Sequence, residues 1–226
     1  MSSDDLAILT QAIPEVLRRQ LEEEIVFGRL EPLARLTEEE VAARYGVSRS
    51  PVREALRLLE GDGLVHRAAR RGIWVAPLSL RDFDEIYACR IPLEGLAAAG
   101  AAASGTAQDK AALLDLLPGL WRAYEARDAR AFFEVDIQAS GLIYAMAGNA
   151  TLSRLIASLG KQALRYRFFA YAREPKMLEM VAPGSRRLWS SIAEGDAEGA
   201  RAGTESLIRE IWQIMRAIIR EHFGAA

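Results

Sequence analysis

Gly46-Val47-Ser48-Arg49-Ser50-Pro51-Val52-Arg53-Glu54-Ala55-Leu56-Arg57-Leu58-Leu59-Glu60 reads as a tight turn, an N-cap at Ser48 and a helix that tolerates Pro51 in its first turn, where the missing N–H has no intrahelical partner to lose. At about 100° per residue, Val52, Ala55, Leu56 and Leu59 share one face. Arg49, Arg53 and Arg57 form a separate stripe beside Ser50, rotated about 110° from the apolar centre. One face is suited to a core and the other carries guanidinium groups. Taken alone, the stripe has two readings: a solvated face making ion pairs with Glu54 and Glu60, or the reading edge of a nucleic-acid-binding helix.

The flanking residues favour the second reading. Upstream, Ile13, Leu17, Leu21 and Ile25 recur every four residues between Thr10 and Phe27, which predicts a first helix ended by Gly28. Thr37-Glu38-Glu39-Glu40 is a Thr-x-x-Glu capping box opening a short second helix that buries Val41, Ala42 and Tyr45 before Gly46. Downstream, Gly61 and Gly63 break the third helix, Leu64 to Arg67 reads as a strand, and Ile73 to Ala76 returns as a second strand ended by Pro77. The tip of that hairpin carries Arg70, Arg71 and Gly72. Two helices, a tight turn, an arginine-striped helix and a basic hairpin make a winged helix-turn-helix, whose wing enters the minor groove or holds phosphates. His66 is expected as a strand residue without catalytic partners.

Composition is consistent with this. The net charge of the 226 residues is −2, which disfavours indiscriminate coating of nucleic acid, but the window from Arg44 to Arg71 holds seven arginines against three carboxylates. The acidic triplets Glu22–Glu24 and Glu38–Glu40 flank it. The single cysteine, Cys89, permits no internal disulfide and is expected as a small core thiol. Neither a secretion signal nor a membrane span is read, so the expected location is the cytoplasm. No histidine-backed nucleophile, spaced carboxylate pair, phosphate-binding glycine loop or metal cluster argues for an enzyme.

The run Val47-Ser48-Arg49-Ser50-Pro51-Val52-Arg53-Glu54-Ala55-Leu56, followed by Leu59-Glu60 and Gly63-Leu64-Val65, resembles the signature of the GntR family of bacterial regulators, in its FadR-like branch with an FCD effector domain. Arg35-Leu36 fits the same pattern, and the resemblance implies a DNA-backbone contact for Arg35. Pro32-Leu33 departs from the family's usual Pro-Gly, so a turn of different shape is expected there.

The resemblance implies that the second half is an antiparallel bundle of six or seven helices enclosing a ligand cavity. The residues support a bundle independently, with helices predicted from Ser79 to about Ala102, Gln108 to Ala126, Ala129 to Ala147, Thr151 to Ala172, Pro183 to Glu194 and Asp196 to Phe223. Trp121, Trp189 and Trp212 are read as core or dimer-interface residues before ligand contacts. Many FCD domains hold a divalent metal with an Asp-x-x-Phe-His pair and two later histidines. Here the matching residues are Asp136, Ser140, Ser185 and Leu207, so all three imidazoles are missing. A carboxylate and two hydroxyls do not replace three nitrogen donors for a zinc-like ion. No structural metal and no cofactor are expected, with a carboxylate-and-water magnesium or calcium site at Asp136 as the remaining alternative.

The cavity's polar wall is expected to include Arg90, Asp136, Ser140, Asn149 and Ser185. Arg90 with Leu93-Glu94 matches the Arg-x-x-Leu-Glu motif that opens the family's helical domain. It would either receive an anionic effector or pair with Asp136 or Glu94. Arg165 and Arg167 are further candidates whose orientation helix phase does not decide.

The expected architecture is therefore mainly α: a winged helix-turn-helix over residues 1–78 and an all-helical effector and dimerisation domain over 79–226. DNA contacts are assigned to Arg49 and Arg53 at base edges, Ser48 and Ser50 at phosphates, Arg57 at the rim, and Arg35, Arg70, Arg71 and Gly72. The expected partners are a palindromic double-stranded operator, a small-molecule effector and a second copy of the chain, with no membrane. The expected function is that of an effector-controlled regulator, a repressor by family resemblance. In the alternative, the helical domain serves only dimerisation or partner binding.

Overall fold

The computed structural model describes residues 3–68 and 72–223, with side chains from Ile13 onward. The chain divides into two compact units that meet between Leu78 and Ser79.

The first unit contains α1 (Ser3–Val26), β1 (Arg35–Leu36), α2 (Glu38–Tyr45), α3 (Arg49–Gly61), β2 (Val65–Ala68) and β3 (Gly72–Val75). Thr37 starts α2: its hydroxyl oxygen accepts from the Glu40 N–H at 3.2 Å, and the hydroxyl donates to the Glu40 carboxylate at 2.7 Å. Gly46, at φ 66°, ends the helix in the left-handed conformation glycine adopts without a Cβ clash. Val52, Ala55, Leu56 and Leu59 are fully buried against Leu17, Leu21, Val41, Leu64 and Val75. The apolar face of α3 thus fixes where its arginine stripe points.

The sheet is antiparallel in the order β1-β3-β2. Its hairpin was expected; the third strand was not. Arg35 pairs with Trp74 and Leu36 with Ile73, a two-residue ladder too short to leave a periodic signal in sequence. In the turn before it, Leu33 sits at φ 66°, in the left-handed region that glycine adopts more readily than a residue with a Cβ. Its N–H donates to the Val75 carbonyl at 3.0 Å.

The second unit contains α4 (Leu80–Ser104), α5 (Ala107–Leu114), α6 (Leu117–Glu125), α7 (Ala129–Met146), α8 (Ala150–Arg173), α9 (Pro175–Glu194) and α10 (Ala197–Phe223). Ser79 caps α4, which packs against α7, α8, α9 and α10. The helix predicted over 108–126 is two helices: Pro118 lies in the first turn of α6, where its missing N–H and its ring oppose continuation from α5. The helix predicted from Pro183 begins instead at Pro175. Glu174 caps it and Pro183 lies in its interior. Cys89 is exposed on α4 rather than in the core; Phe83, Tyr87, Phe132 and Phe133 supply the bulk there.

Candidate nucleic-acid interface and interior cavity

On α3, Ser48, Arg49, Ser50, Arg53 and Arg57 are all exposed. Ser48 occupies the N-cap position in extended geometry, but its side chain makes no capping bond. The first N–H groups of the helix are therefore not taken by that hydroxyl, and a helix N-terminus with open N–H groups favours anions. Arg53 donates from Nε at 2.9 Å and from Nη2 at 2.8 Å to the two oxygens of Glu38 on α2. Arg57 makes the same kind of fork with Glu54, at 3.1 and 2.5 Å, and Arg49 pairs with Glu39. These hydrogen bonds hold the Glu38 and Glu54 carboxyls below the usual carboxylate range. Glu60 pairs with Arg67 of β2 instead of the stripe. The arginine side chains remain 61–65% exposed in these pairs, so the pairs contribute little to the stability of the fold.

Beside this helix the sheet brings together Arg35, Gly72 and Trp74. The Arg35 guanidinium lies 5.9 Å from the Trp74 ring centroid, and its Nε is 3.4 Å from where a Cβ on Gly72 would stand. Gly72 has φ 105°, a conformation L-residues rarely adopt. Arg70 and Arg71 lie outside the described residues.

In the second unit, Arg90, Glu94, Asp136, Arg167, Tyr171, Ser185, Trp189, Thr204 and Leu207 are among the residues around a cavity of about 60 Å³. Its charges are arranged as two pairs. Arg90 Nε donates to Glu94 at 2.7 Å, and its guanidinium lies 4.9 Å from the Tyr87 ring centroid. Arg167 of α8 pairs with Asp136 of α7, and the same carboxylate oxygen accepts from the Tyr171 hydroxyl at 3.0 Å. Burial pushes the Tyr171 hydroxyl's pKa well up, and the neighbouring Asp136 charge adds to the effect. Arg90 Nη1 is buried and without a hydrogen-bond partner. A larger cavity of about 350 Å³ lies where the α6–α7 and α8–α9 turns meet, and Tyr171 lines it together with Tyr124, Arg127, Arg173 and Leu178.

Residues 15–75 match the family described as bacterial regulatory proteins, gntR family, and residues 85–222 match the FCD domain. The chain belongs to the GntR family, in the branch with an FCD domain. It is 29% identical to the Escherichia coli K12 transcriptional regulator McbR over 211 residues, covering 92% of this chain and 93% of McbR. It is 27% identical to the E. coli K12 transcriptional repressor RspR, covering 94% and 93%. Identity to Bacillus subtilis YdhC is 50%, but over 78 residues, so the chain spans only about a third (35%) of that protein's length. The solved structure of E. coli McbR/YncC superposes with a TM-score of 0.80 at 27% identity, covering 90% of this chain and 96% of that one. The GntR family comprises DNA-binding transcription regulators, and the winged unit followed by a helical FCD unit is its architecture.

As a GntR-family FCD domain, this one has no donor set for a zinc-like ion at the expected position. Asp136 is engaged by a guanidinium and a phenol. Ser140 Oγ is turned back onto the Asp136 carbonyl at 2.9 Å. Leu207 is apolar, and its methyls crowd Gly184, beside Ser185. A fixed cation 31 residues along the chain stands against the carboxylate, so these residues do not fit a metal.

Of the residues assigned to the cavity wall, Arg90, Asp136 and Ser185 line it, whereas Ser140 and Asn149 are not among the lining residues. Asn149 is exposed as the N-cap of α8, its Oδ1 accepting from the Leu152 N–H at 3.0 Å. Asn-Ala-Thr before an apolar run is a helix-start signal that outweighs a pocket role. Arg167 and Tyr171 carry the wall instead. Both Arg165 and Arg167 are buried, but Arg167 faces the cavity. Arg90 pairs with Glu94, not Asp136. Trp189 is buried at the cavity, while Trp212 is half-buried and donates to Asp84 at 2.9 Å.

Proposed function

We propose that the chain is a sequence-specific, effector-controlled repressor that binds a palindromic operator as a homodimer. One observation carries the DNA part: α3 has one face fully buried and a separate face made of exposed Arg49, Arg53 and Arg57. Arg49 and Arg53 read base edges, Ser48 and Ser50 hold phosphates at the helix N-terminus, and Arg57 lies at the rim. Arg35 and Gly72 approach the backbone, with Arg70 and Arg71 as the basic pair between β2 and β3. Selection of duplexes from a randomised pool by the full-length protein tests this. Enrichment of a palindrome supports the reading, and recovery of an unenriched pool contradicts it.

For the FCD unit, the unpartnered, buried Nη1 of Arg90 supports an effector that presents a carboxylate or another anionic acceptor. The cavity's volume of about 60 Å³ is well below the roughly 300–1,000 Å³ of ordinary small-molecule pockets, so a metabolite binds only if the wall moves. Binding energy is thereby spent on shifting helices, which is how a ligand prefers one arrangement of the protein over another. Ser185 and Asp136 belong to the wall that responds. Operator affinity measured against a panel of short carboxylates tests this, with a ligand-dependent change in affinity as the supporting result.

The small volume also favours a second reading, in which the helical unit only dimerises or binds a partner protein. In that case no metabolite alters operator affinity, and the ion pairs are fixed structure.

A further inference from the structure

The fork between Arg53 and Glu38 uses one particular edge of the guanidinium. Arg53 gives Nε–H and one Nη2–H to the glutamate, which is the side-on edge. The second hydrogen of Nη2 and one hydrogen of Nη1 are left on the end-on edge. That edge is the donor pair that matches O6 and N7 of guanine in the major groove. Glu38 comes from the first turn of α2, immediately after its cap Thr37, and its side chain is 22% exposed against 65% for Arg53. The carboxylate thus lies closer to the body of the unit while the guanidinium reaches out from α3. A long side chain loses rotamer freedom on binding, and one already held by a bidentate partner has less to lose.

We infer that Glu38 is a positioning residue for sequence reading: it fixes Arg53 so that its end-on edge meets a guanine, and so sets selectivity without touching DNA. This rests on the proposal that Arg53 reads a base. The competing account is that Glu38 is a competitor that DNA must displace. The two accounts predict opposite behaviour, because removing a competitor tightens all DNA, whereas removing a positioning group spoils discrimination.

The test uses full-length protein, the duplex it selects from a randomised pool, and a scrambled duplex of the same length at one salt concentration. With Glu38→Ala, the ratio of scrambled to selected Kd is expected to fall about tenfold, within the range a bidentate base contact supports. Affinity for scrambled DNA stays level or tightens, because a negative charge near the phosphates has gone. Glu38→Gln, which keeps one acceptor oxygen at the same reach, should fall between. In an Arg53→Ala background, Glu38→Ala should change the ratio no further. Tightening on both duplexes with an unchanged ratio would overturn the inference in favour of competition. An additive loss of ratio in the Arg53→Ala background would overturn it too, because Glu38 would then act without Arg53. If Arg53→Ala alone leaves the ratio unchanged, the base-reading assignment itself fails, a separate outcome from failure of the positioning role.

Discussion

Asp136 of α7 is paired with Arg167 of α8 in the interior of the helical unit, with the two side chains only 12% and 10% exposed. A guanidinium thus faces the carboxylate that the FCD resemblance assigns to a metal. Buried ion pairs are costly to break from one side, because the remaining charge is left unpaired. Asp136→Asn or Arg167→Met should each destabilise the helical unit by about 3–5 kcal/mol in chemical denaturation. The double variant should lose less than the sum of the two. Additive losses would mean that the two groups do not depend on one another.

The same pair leaves no place for a zinc-like ion at Asp136, which predicts how the protein responds to such metals. After dialysis against a chelator, the melting temperature and operator affinity should match those of untreated protein. Adding zinc or nickel should move neither. A rise of several degrees with either metal would contradict the donor-set argument.

Leu33 pays a backbone cost at φ 66° that glycine would not, because its Cβ crowds the following carbonyl. It is 59% exposed, so little packing is lost on removal. Leu33→Gly should raise the stability of the winged unit by about 1 kcal/mol, read from the denaturant midpoint. Destabilisation would indicate that the leucine side chain makes contacts outweighing the strain.

Acid should act on α1. Arg18 donates to Glu15 and lowers its carboxyl pKa to about 2, against an ordinary 4.5. A carboxyl whose folded pKa is depressed stabilises the fold above its unfolded pKa, and that contribution is lost as pH falls towards the folded value. The stability difference between wild type and Glu15→Gln should therefore be full above about pH 4.5 and shrink between there and about pH 2. A difference constant across that window would remove the ion pair as its source.

The fold was legible wherever local pattern sufficed. The apolar spacing of Val52, Ala55, Leu56 and Leu59 and the glycines around α3 give the winged unit, and the helical runs at Ala129 to Ala147 and Asp196 to Phe223 give part of the bundle. What escaped was non-local. Glu38 and Arg53 are 15 residues apart, Asp136 and Arg167 are 31 apart, and each pair joins two elements whose packing no periodicity reports. The strand at Arg35-Leu36 is defined only by its partner β3. Prolines misled in both directions: Pro118 broke a helix read as continuous, whereas Pro183 was read as a start and lies inside α9. Ser140 and Asn149 were placed in the cavity by alignment to a family pattern, but local hydrogen bonding takes both.

The most direct test of base reading by α3 is Arg53→Ala against the duplex that the wild-type protein selects from a randomised pool. Affinity for that duplex should fall about ten- to a hundredfold, with tolerance appearing at the guanine that Arg53 reads. Affinity for a scrambled duplex should change only by the small amount expected of one lost charge. An equal loss on both duplexes would contradict the account, because Arg53 would then serve as a phosphate anchor and the recognition surface would lie elsewhere.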